Sequence, residues 1–291
     1  MASFPVHGGV VYATPSSSQA PTPNLAVNTH YYLTEGLEGV AHKQYRGPRA
    51  FTLEVMEQAD QATLGNAGQY MVYCPVTQQQ FTSIDRIRDR RHKGLRFMYP
   101  KDEQALVVKI TISVTHDVAN PIAGGFEEDM VLMGSTTMIT PSGLKDPDSS
   151  FAPLSHHCRG SWLTLVIETG LSRCLPCLTA DSRWWLEKAT EAARMVTLIS
   201  VSREEMRLHI EKWENVSMPR PSVTHADQNG PMPTATKTQE IDIVGDVVTG
   251  APLTLEFEKL MLPQPGAREG DIIFDINDLQ SFATRLWRWT Q

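Results

Sequence analysis

What the chain lacks narrows it first. No window approaches about 18 consecutive apolar residues, so a membrane span is not expected. The stretch from Met1 to Val11 has neither a basic start nor a sustained apolar run. It does not read as a secretory signal, and the expected compartment is cytosol or nucleus. There is no internal repeat, no glycine-rich phosphate loop and no nucleophile elbow, which removes P-loop and serine-hydrolase patterns. Cysteine is scarce, with four in 291 residues. Without a signal segment, that favours reduced thiols or a metal site over a disulfide framework. Positive charge is in deficit, the formal net charge being −7. This opposes unspecific attraction to nucleic acid unless a local basic patch overrides it.

What is present is ordinary globular material: 41% hydrophobic and 20% charged residues, enough to bury a core in one large domain or two modest ones. Ala13 to Val27 is rich in Ser, Pro, Thr and Gln and reads as a loose arm. Phe51 to Tyr73 fits helix and strand equally well. A basic cluster follows at Arg86, Arg88, Arg90, Arg91, His92, Lys93 and Arg96. It is either a phosphate contact surface or a solvated loop interleaved with Asp85 and Asp89, and the second is preferred because charged surface runs are common.

The centre is more informative. Ala105 to Val114 (ALVVKITISV) is β-branched and apolar, a buried strand. His116 to Asp129 predicts a short helix interrupted by Pro121, Gly124 and Gly125. Val131 to Thr140 predicts a strand, then come a turn at Pro141 and the segment Lys145-Asp-Pro-Asp148. Trp162 to Ile167 is a continuous apolar run, a central strand covered on both faces. Leu178 to Arg194 changes to helical period, Met195 to Val201 is another buried strand, and Arg207 to Glu214 alternates like a half-exposed edge strand. Strand, helix and strand in that order imply a parallel crossover. Residues 215–238 read as a proline-rich linker. Glu240 to Val244 and Pro252 to Met261 look like two strands, and Asp278 to Trp289 is an amphipathic helix. Ile276, Leu279, Phe282, Leu286 and Trp289 share one face of that helix and predict that it packs on the core.

Asp148 ends a turn and Glu168 ends the strand that follows it. If the flanking strands pair, the two carboxylates converge on a hard, oxygen-rich site suited to Mg²⁺. A metal there could activate water against a phosphodiester. Pro147-Asp148, VIETG with Glu168, the LTADSRWWLEK helix and the MVTLISVS strand together resemble the PD-(D/E)XK nuclease-like superfamily. From about Leu95 onward the chain is similar to a family of uncharacterised proteins abundant in filamentous fungi and mushrooms. The motifs are Glu168-Thr-Gly-Leu-Ser172, Asp181-Ser-Arg-Trp184-Trp185-Leu186, Ile210-Glu-Lys-Trp213-Glu214, Glu240-Ile-Asp-Ile243 and Gly250-Ala-Pro-Leu-Thr-Leu-Glu-Phe257-Glu258.

The resemblance implies an α/β fold with a restriction-endonuclease-like αβββαβ core and a mixed central sheet. Residues 1–50 would form an N-terminal extension and 51–104 an accessory segment. The core would be 105–214, with 215–291 as linker, strands and helix packed on it. Asp148 and Glu168 would be the metal carboxylates. The superfamily's lysine belongs two residues after Glu168, where this chain has Gly170. The resemblance therefore moves the basic group to Arg194 or Lys188, and a further glutamate to Glu127 or Glu128, with Glu128 as third metal ligand. Arginine could stabilise phosphate charge but is a poor proton-transfer group.

Cys174-Leu-Pro-Cys177, with His156, His157 and Cys158 upstream, offers donors for zinc. The pair lies outside the family motif, and ordinary buried thiols are preferred to zinc. Trp184 and Trp185 sit about 100° apart on a helix, which predicts one in the core and one at another contact. His116, His156, His157 and His209 are available for acid/base chemistry, although isolated histidines near strand ends are usually structural. Three functions follow as expectations. The first is a divergent Mg-dependent nuclease or nucleic-acid-binding pseudo-nuclease. The second is a metal-independent enzyme acting on a small organic molecule in a remodelled pocket. The third is a non-catalytic homodimeric interaction module.

Overall fold

The structure is a computed structural model that describes residues 11–12, 36–111, 129–141, 143–156, 163–187, 193–217, 233–262, 264–267 and 269–290. The short strands β1 (Val11–Tyr12) and β2 (Ala41–Lys43) come first. Next are helix α1 (Pro48–Thr63), β3 (Tyr70–Tyr73), helix α2 (Gln78–Arg91), β4 (Leu95–Pro100) and β5 (Leu106–Ile110). The ambiguous stretch from Phe51 to Tyr73 is thus a helix followed by a strand. Most of the basic cluster closes α2 rather than forming a loop. Thr77 and Gln80 cap that helix reciprocally: Gln80 N donates to Thr77 Oγ1 at 3.3 Å, and Thr77 N donates to Gln80 Oε1 at 2.8 Å. Arg88, Arg90 and Arg91 face the negative end of its dipole.

The run from Val131 to Thr140 is not one strand. It is β6 (Met130–Leu132) and β7 (Met138–Thr140), which belong to different sheets. After β8 (Gly143–Lys145) come β9 (Ser149–Pro153), β10 (Leu165–Leu171), helix α3 (Leu175–Glu187) and β11 (Met195–Ser202). β12 (Arg207–Ser217) and β13 (Pro233–Val244) follow, so the expected linker ends as a strand. The remainder is β14 (Val247–Thr249), β15 (Leu253–Leu255), α4 (Phe257–Met261), β16 (Ile272–Phe274) and α5 (Ile276–Thr290). The helix expected at 116–129 and most of residues 215–232 lie outside the described residues.

Among the described residues, two seven-stranded mixed sheets carry the fold. The first runs β1-β7-β8-β4-β5-β3-β2 and the second β14-β13-β12-β11-β10-β9-β6, with β15 and β16 as a separate pair. The first sheet joins β4 to β5, so it crosses the 104/105 boundary that the sequence suggested. In the second, β10 and β11 pair in parallel across α3, from Leu165↔Met195 to Leu171↔Val201. β12 is an interior strand between β11 and β13, not an edge, and most of its side chains are buried.

Packing sorts the layers. On its outer face the first sheet places Met71, Tyr73, Phe97 and Val108 against Phe51, Val55, Phe81 and Ile84 of α1 and α2. Its inner face puts Tyr70, Val72, Met98 and Val107 into a cluster with Leu178, Trp184 and Trp185 of α3 and with Val166, Val196 and Leu198 of the second sheet. α3 is therefore covered on two sides, which is why Trp184 and Trp185 are both buried, their rings edge-to-face at 5.0 Å. The far side of the second sheet receives Leu279, Phe282, Ala283, Leu286 and Trp287 of α5. Ile276, expected on that buried face, is instead exposed at the helix start. Among the described residues no helix is long and apolar enough to cross a membrane.

Candidate functional site

The layer between the sheets also holds charge. Asp148 immediately precedes β9, and Glu168 lies on the face of β10 that looks toward α3. The two carboxylates meet at a third group. Lys109 Nζ, from the middle of β5, donates to Asp148 Oδ2 at 2.7 Å and to Glu168 Oε2 at 2.6 Å. It also lies 3.8 Å from Asp181 Oδ2 on α3. Lys145 Nζ, at the end of β8, donates to Asp181 Oδ1 and sits 3.9 Å from Glu168 Oε1. Arg96 Nε faces Asp148 Oδ1 at 3.8 Å. Of these six side chains none belongs to a residue more than 6% exposed.

Register explains the convergence. Lys109 is the cross-strand partner of Tyr70 on one side and of Arg96 on the other, so the three form a row on the inner face of the first sheet. Met98, two residues after Arg96 and on the same face, pairs with Lys145. The first sheet thus supplies the cations, while the second sheet and α3 supply Glu168 and Asp181.

Neutral donors complete the network. Asp148 Oδ2 accepts from Thr169 N at 2.8 Å and Thr169 Oγ1 at 2.9 Å, and Glu168 Oε1 accepts from the Trp185 indole at 2.7 Å. Tyr70 donates its hydroxyl to Asp181 Oδ2 at 2.6 Å.

The electrostatics follow from burial set against pairing. Burial is the largest influence on Glu168 and pushes its carboxyl up to about 7 in spite of Lys109 and Lys145. Burial also acts on Asp148, but Lys109, Arg96 and the Thr169 hydrogen bond outweigh it and hold that carboxyl below its usual range. For Lys109 the desolvation that would release its proton is overcome by Asp148, Glu168 and Asp181, so the ammonium is held more firmly than an ordinary lysine. Burial, then Asp181, raises the Tyr70 phenol well above its usual value.

The other residues expected in the site fall elsewhere. Arg194 is exposed just before β11. The partner of Glu168 in that strand is Leu198, so Arg194 lies about 13 Å back along the strand and cannot supply the basic group. Lys188, Glu127 and Glu128 lie outside the described residues. The basic groups that do reach Glu168 and Asp148, Lys109, Lys145 and Arg96, come from the first sheet. Gly170 has a packing reason to be glycine: a Cβ there would stand 3.0 Å from Gln69 Oε1 and 3.1 Å from Leu178 Cδ1.

Cys74, Cys174 and Cys177 are free thiols. Burial, with Cys174 and Asp181 adding to it, pushes Cys177 up to about 12, far from a thiolate ligand. Cys158, His116 and His157 lie outside the described residues, and so does the side chain of His156. His209 Nε2, Glu211 and Glu240 offer ligand atoms within 4.8 Å of one another on β12 and β13. Their charges are already matched: Lys237 Nζ bonds Glu211 Oε1 at 3.1 Å and Glu240 Oε2 at 2.6 Å. Cavities of about 530, 460 and 150 Å³ among the described residues are lined by other side chains, and none of the three reaches Asp148 or Glu168. In comparisons with known proteins, no protein-family model, curated protein or solved structure matches the chain.

Proposed function

We propose that the chain is a restriction-endonuclease-like protein without nuclease chemistry, a pseudo-nuclease that works by binding. Strand order supports the first half of this reading. β6, β9 and β10 are successive antiparallel neighbours, then α3 crosses to β11, which lies parallel to β10. Asp148 enters the second strand of that set and Glu168 lies within the third. That is the placement the superfamily resemblance implies for its acidic pair.

The second half rests on one observation: the Lys109 ammonium bonds both carboxylates at once. A magnesium ion needs several hard oxygens in near-octahedral geometry at about 2.0–2.1 Å, with water retained. Here both oxygens of Glu168 and Oδ2 of Asp148 are engaged by Lys109, Trp185 and Thr169. Only Asp148 Oδ1 accepts no hydrogen bond among the described residues, and it faces Arg96. The donor set does not fit a divalent ion. A phosphodiester would also have to pass the first sheet, which closes over the pair. A metal-independent enzyme acting on a small molecule would need a cavity at Glu168, and the cavities described lie elsewhere.

The test is a cleavage assay on supercoiled plasmid, single-stranded DNA and RNA with Mg²⁺ or Mn²⁺. The expected result is no cleavage beyond that of the Asp148→Asn/Glu168→Gln variant, and no change in melting temperature on adding either metal. Metal-dependent cleavage that disappears in that variant would overturn the proposal.

A further inference from the structure

The basic cluster that opens as one run in the sequence is divided by the fold. Arg88 turns inward to Asp85, Asp89 and Asp146, and Arg96 joins the buried network. Arg86, Arg90 and Arg91 stay exposed on α2. Together with Arg49 of α1 they line a groove of about 530 Å³ between the two helices, floored in part by Leu53 and Ile87. None of the four arginines is paired with an acid among the described residues, and no acidic residue lines the groove. The start of α1 adds to the same field, having no acidic residue in its first turn and no side-chain cap on Gly47.

We propose that this groove binds an acidic amphipathic segment of a partner protein. Charge complementarity demands an anion, since four guanidinium groups in so small a space repel one another until countered. The apolar residues decide which anion. On α1, Leu53 and Met56 are 62% and 53% exposed, and Leu64, which caps its C-terminal end, is 70% exposed. Steps of three and eleven residues put them on one face, a stripe rising about 16 Å along the helix. A helical segment laid beside it would bury apolar anchors on that stripe and set carboxylates against the arginines, the helix-in-groove mode of recognition. Arginine and methionine are both enriched where proteins meet.

A nucleic-acid strand would use the arginines but has no use for an exposed leucine and methionine. The groove also has no aromatic side chain on which bases could stack. The chain's own N-terminal arm is a poor candidate, because residues 1–35 contain a single acidic residue, Glu35. The inference does not depend on the buried network, which lies on the opposite face of the first sheet.

Fluorescence anisotropy tests it with a labelled helical peptide of about 16 residues that carries glutamate on one face and leucine on the other. Its control is a peptide of equal charge with serine for leucine. The full chain should bind the leucine peptide, and bind the serine peptide about tenfold more weakly. Arg86→Glu/Arg90→Glu should weaken leucine-peptide binding by at least about tenfold, and the milder Arg86→Gln/Arg90→Gln by less, both with an unchanged melting curve. Leu53→Ser/Met56→Ser should bring the two peptides level. Absence of leucine-peptide binding, equal affinity for the serine peptide, or displacement by an oligonucleotide that binds more tightly would each refute the proposal.

Discussion

Lys109→Met is the substitution that most directly interrogates the buried network. Methionine nearly matches the lysine stem in volume, so packing is disturbed little while the ammonium disappears. Asp148 and Glu168 are then left facing each other with no shared counter-charge, both at or below 6% exposure. Removing one partner of a buried ionic group costs about 3–5 kcal/mol. That is a large part of the ~5–15 kcal/mol that holds a domain together. In a urea titration with a slope of about 1–3 kcal/mol per M, the midpoint falls by roughly 1–5 M with little change in slope.

The pH dependence carries a sign that simple loss of packing does not. Lys109 is the largest influence opposing burial at both carboxyls, so its removal should raise each of them in the folded state above where it stands in the native protein. A group whose folded pKa is raised gives stability that is complete below the unfolded value and is lost as pH rises through the folded value. Lys109→Met should therefore lie closest to the native protein near pH 4 and fall furthest below it near pH 8. Adding Asp148→Asn and Glu168→Gln should recover most of the loss, with a coupling of at least about 2 kcal/mol between Lys109 and the pair. A loss under about 1 kcal/mol, or strict additivity, would refute the reasoning.

Two further outcomes are expected. Gly170→Lys restores the superfamily's lysine position but drives a Cβ to 3.0 Å from Gln69 Oε1 and 3.1 Å from Leu178 Cδ1. It should cost more than about 2 kcal/mol in chemical denaturation and gain no metal-dependent cleavage. His209 has Glu211 Oε1 3.1 Å from Nε2 and Asp242 Oδ1 3.0 Å from Nδ1, and the first of these contacts is the largest cause of its raised pKa. Its contribution to stability is complete below about 6.5 and drains away as pH rises through the higher folded value. Melting temperatures between pH 6 and 9 should show a decline that is flatter in His209→Gln.

Legibility divided along physical lines. Elements with strong periodicity were readable: β5, β10, β11 and α5 stand within a few residues of where their patterns place them, and α3 is a helix where expected but ends at Glu187, before the expected Arg194. Asp148 and Glu168 were readable as a pair because a turn and a buried strand carried them, although Glu168 stands in the middle of β10 and not at its end as expected. Their cations were not, because cross-sheet packing leaves no mark in sequence spacing. Lys109 did leave one sign: it is a lone charge inside a β-branched apolar run, a position that costs too much unless a counter-charge is waiting. Lys145 directly precedes Asp146-Pro147-Asp148 and could have been weighed in the same way. Asp181 entered the sequence reading as part of the helix motif, yet within α3 it is buried and bonded to Tyr70 and Lys145. β12 misled for a different reason. Its charged side chains are buried on both faces against neighbours that neutralise them, Glu256 accepting from Lys212 on one face and Lys237 donating to Glu211 on the other, so alternation signalled ion pairing rather than exposure.

On the proposed reading, charge balance bears on why an acidic pair of this kind would hold no metal. Two carboxylates beside one lysine leave a net negative site, and that surplus is what draws a divalent cation. Here Asp148, Glu168 and Asp181 are set against Lys109, Lys145 and Arg96, three acids facing three bases, so no acidic surplus is left. Inserting a cation would now require driving a buried ammonium away from two hydrogen bonds and finding it another anion. A charge-balanced, densely hydrogen-bonded cluster has a different use: its members come from both sheets and α3, so it forms only when all three are docked in one register. Replacing all six groups by apolar residues of similar volume should therefore leave stability near or above the native value. The loss should appear in uniqueness of packing, as broadened amide resonances from β5, β10 and α3, and sharp native-like spectra from that variant would show that the network specifies nothing.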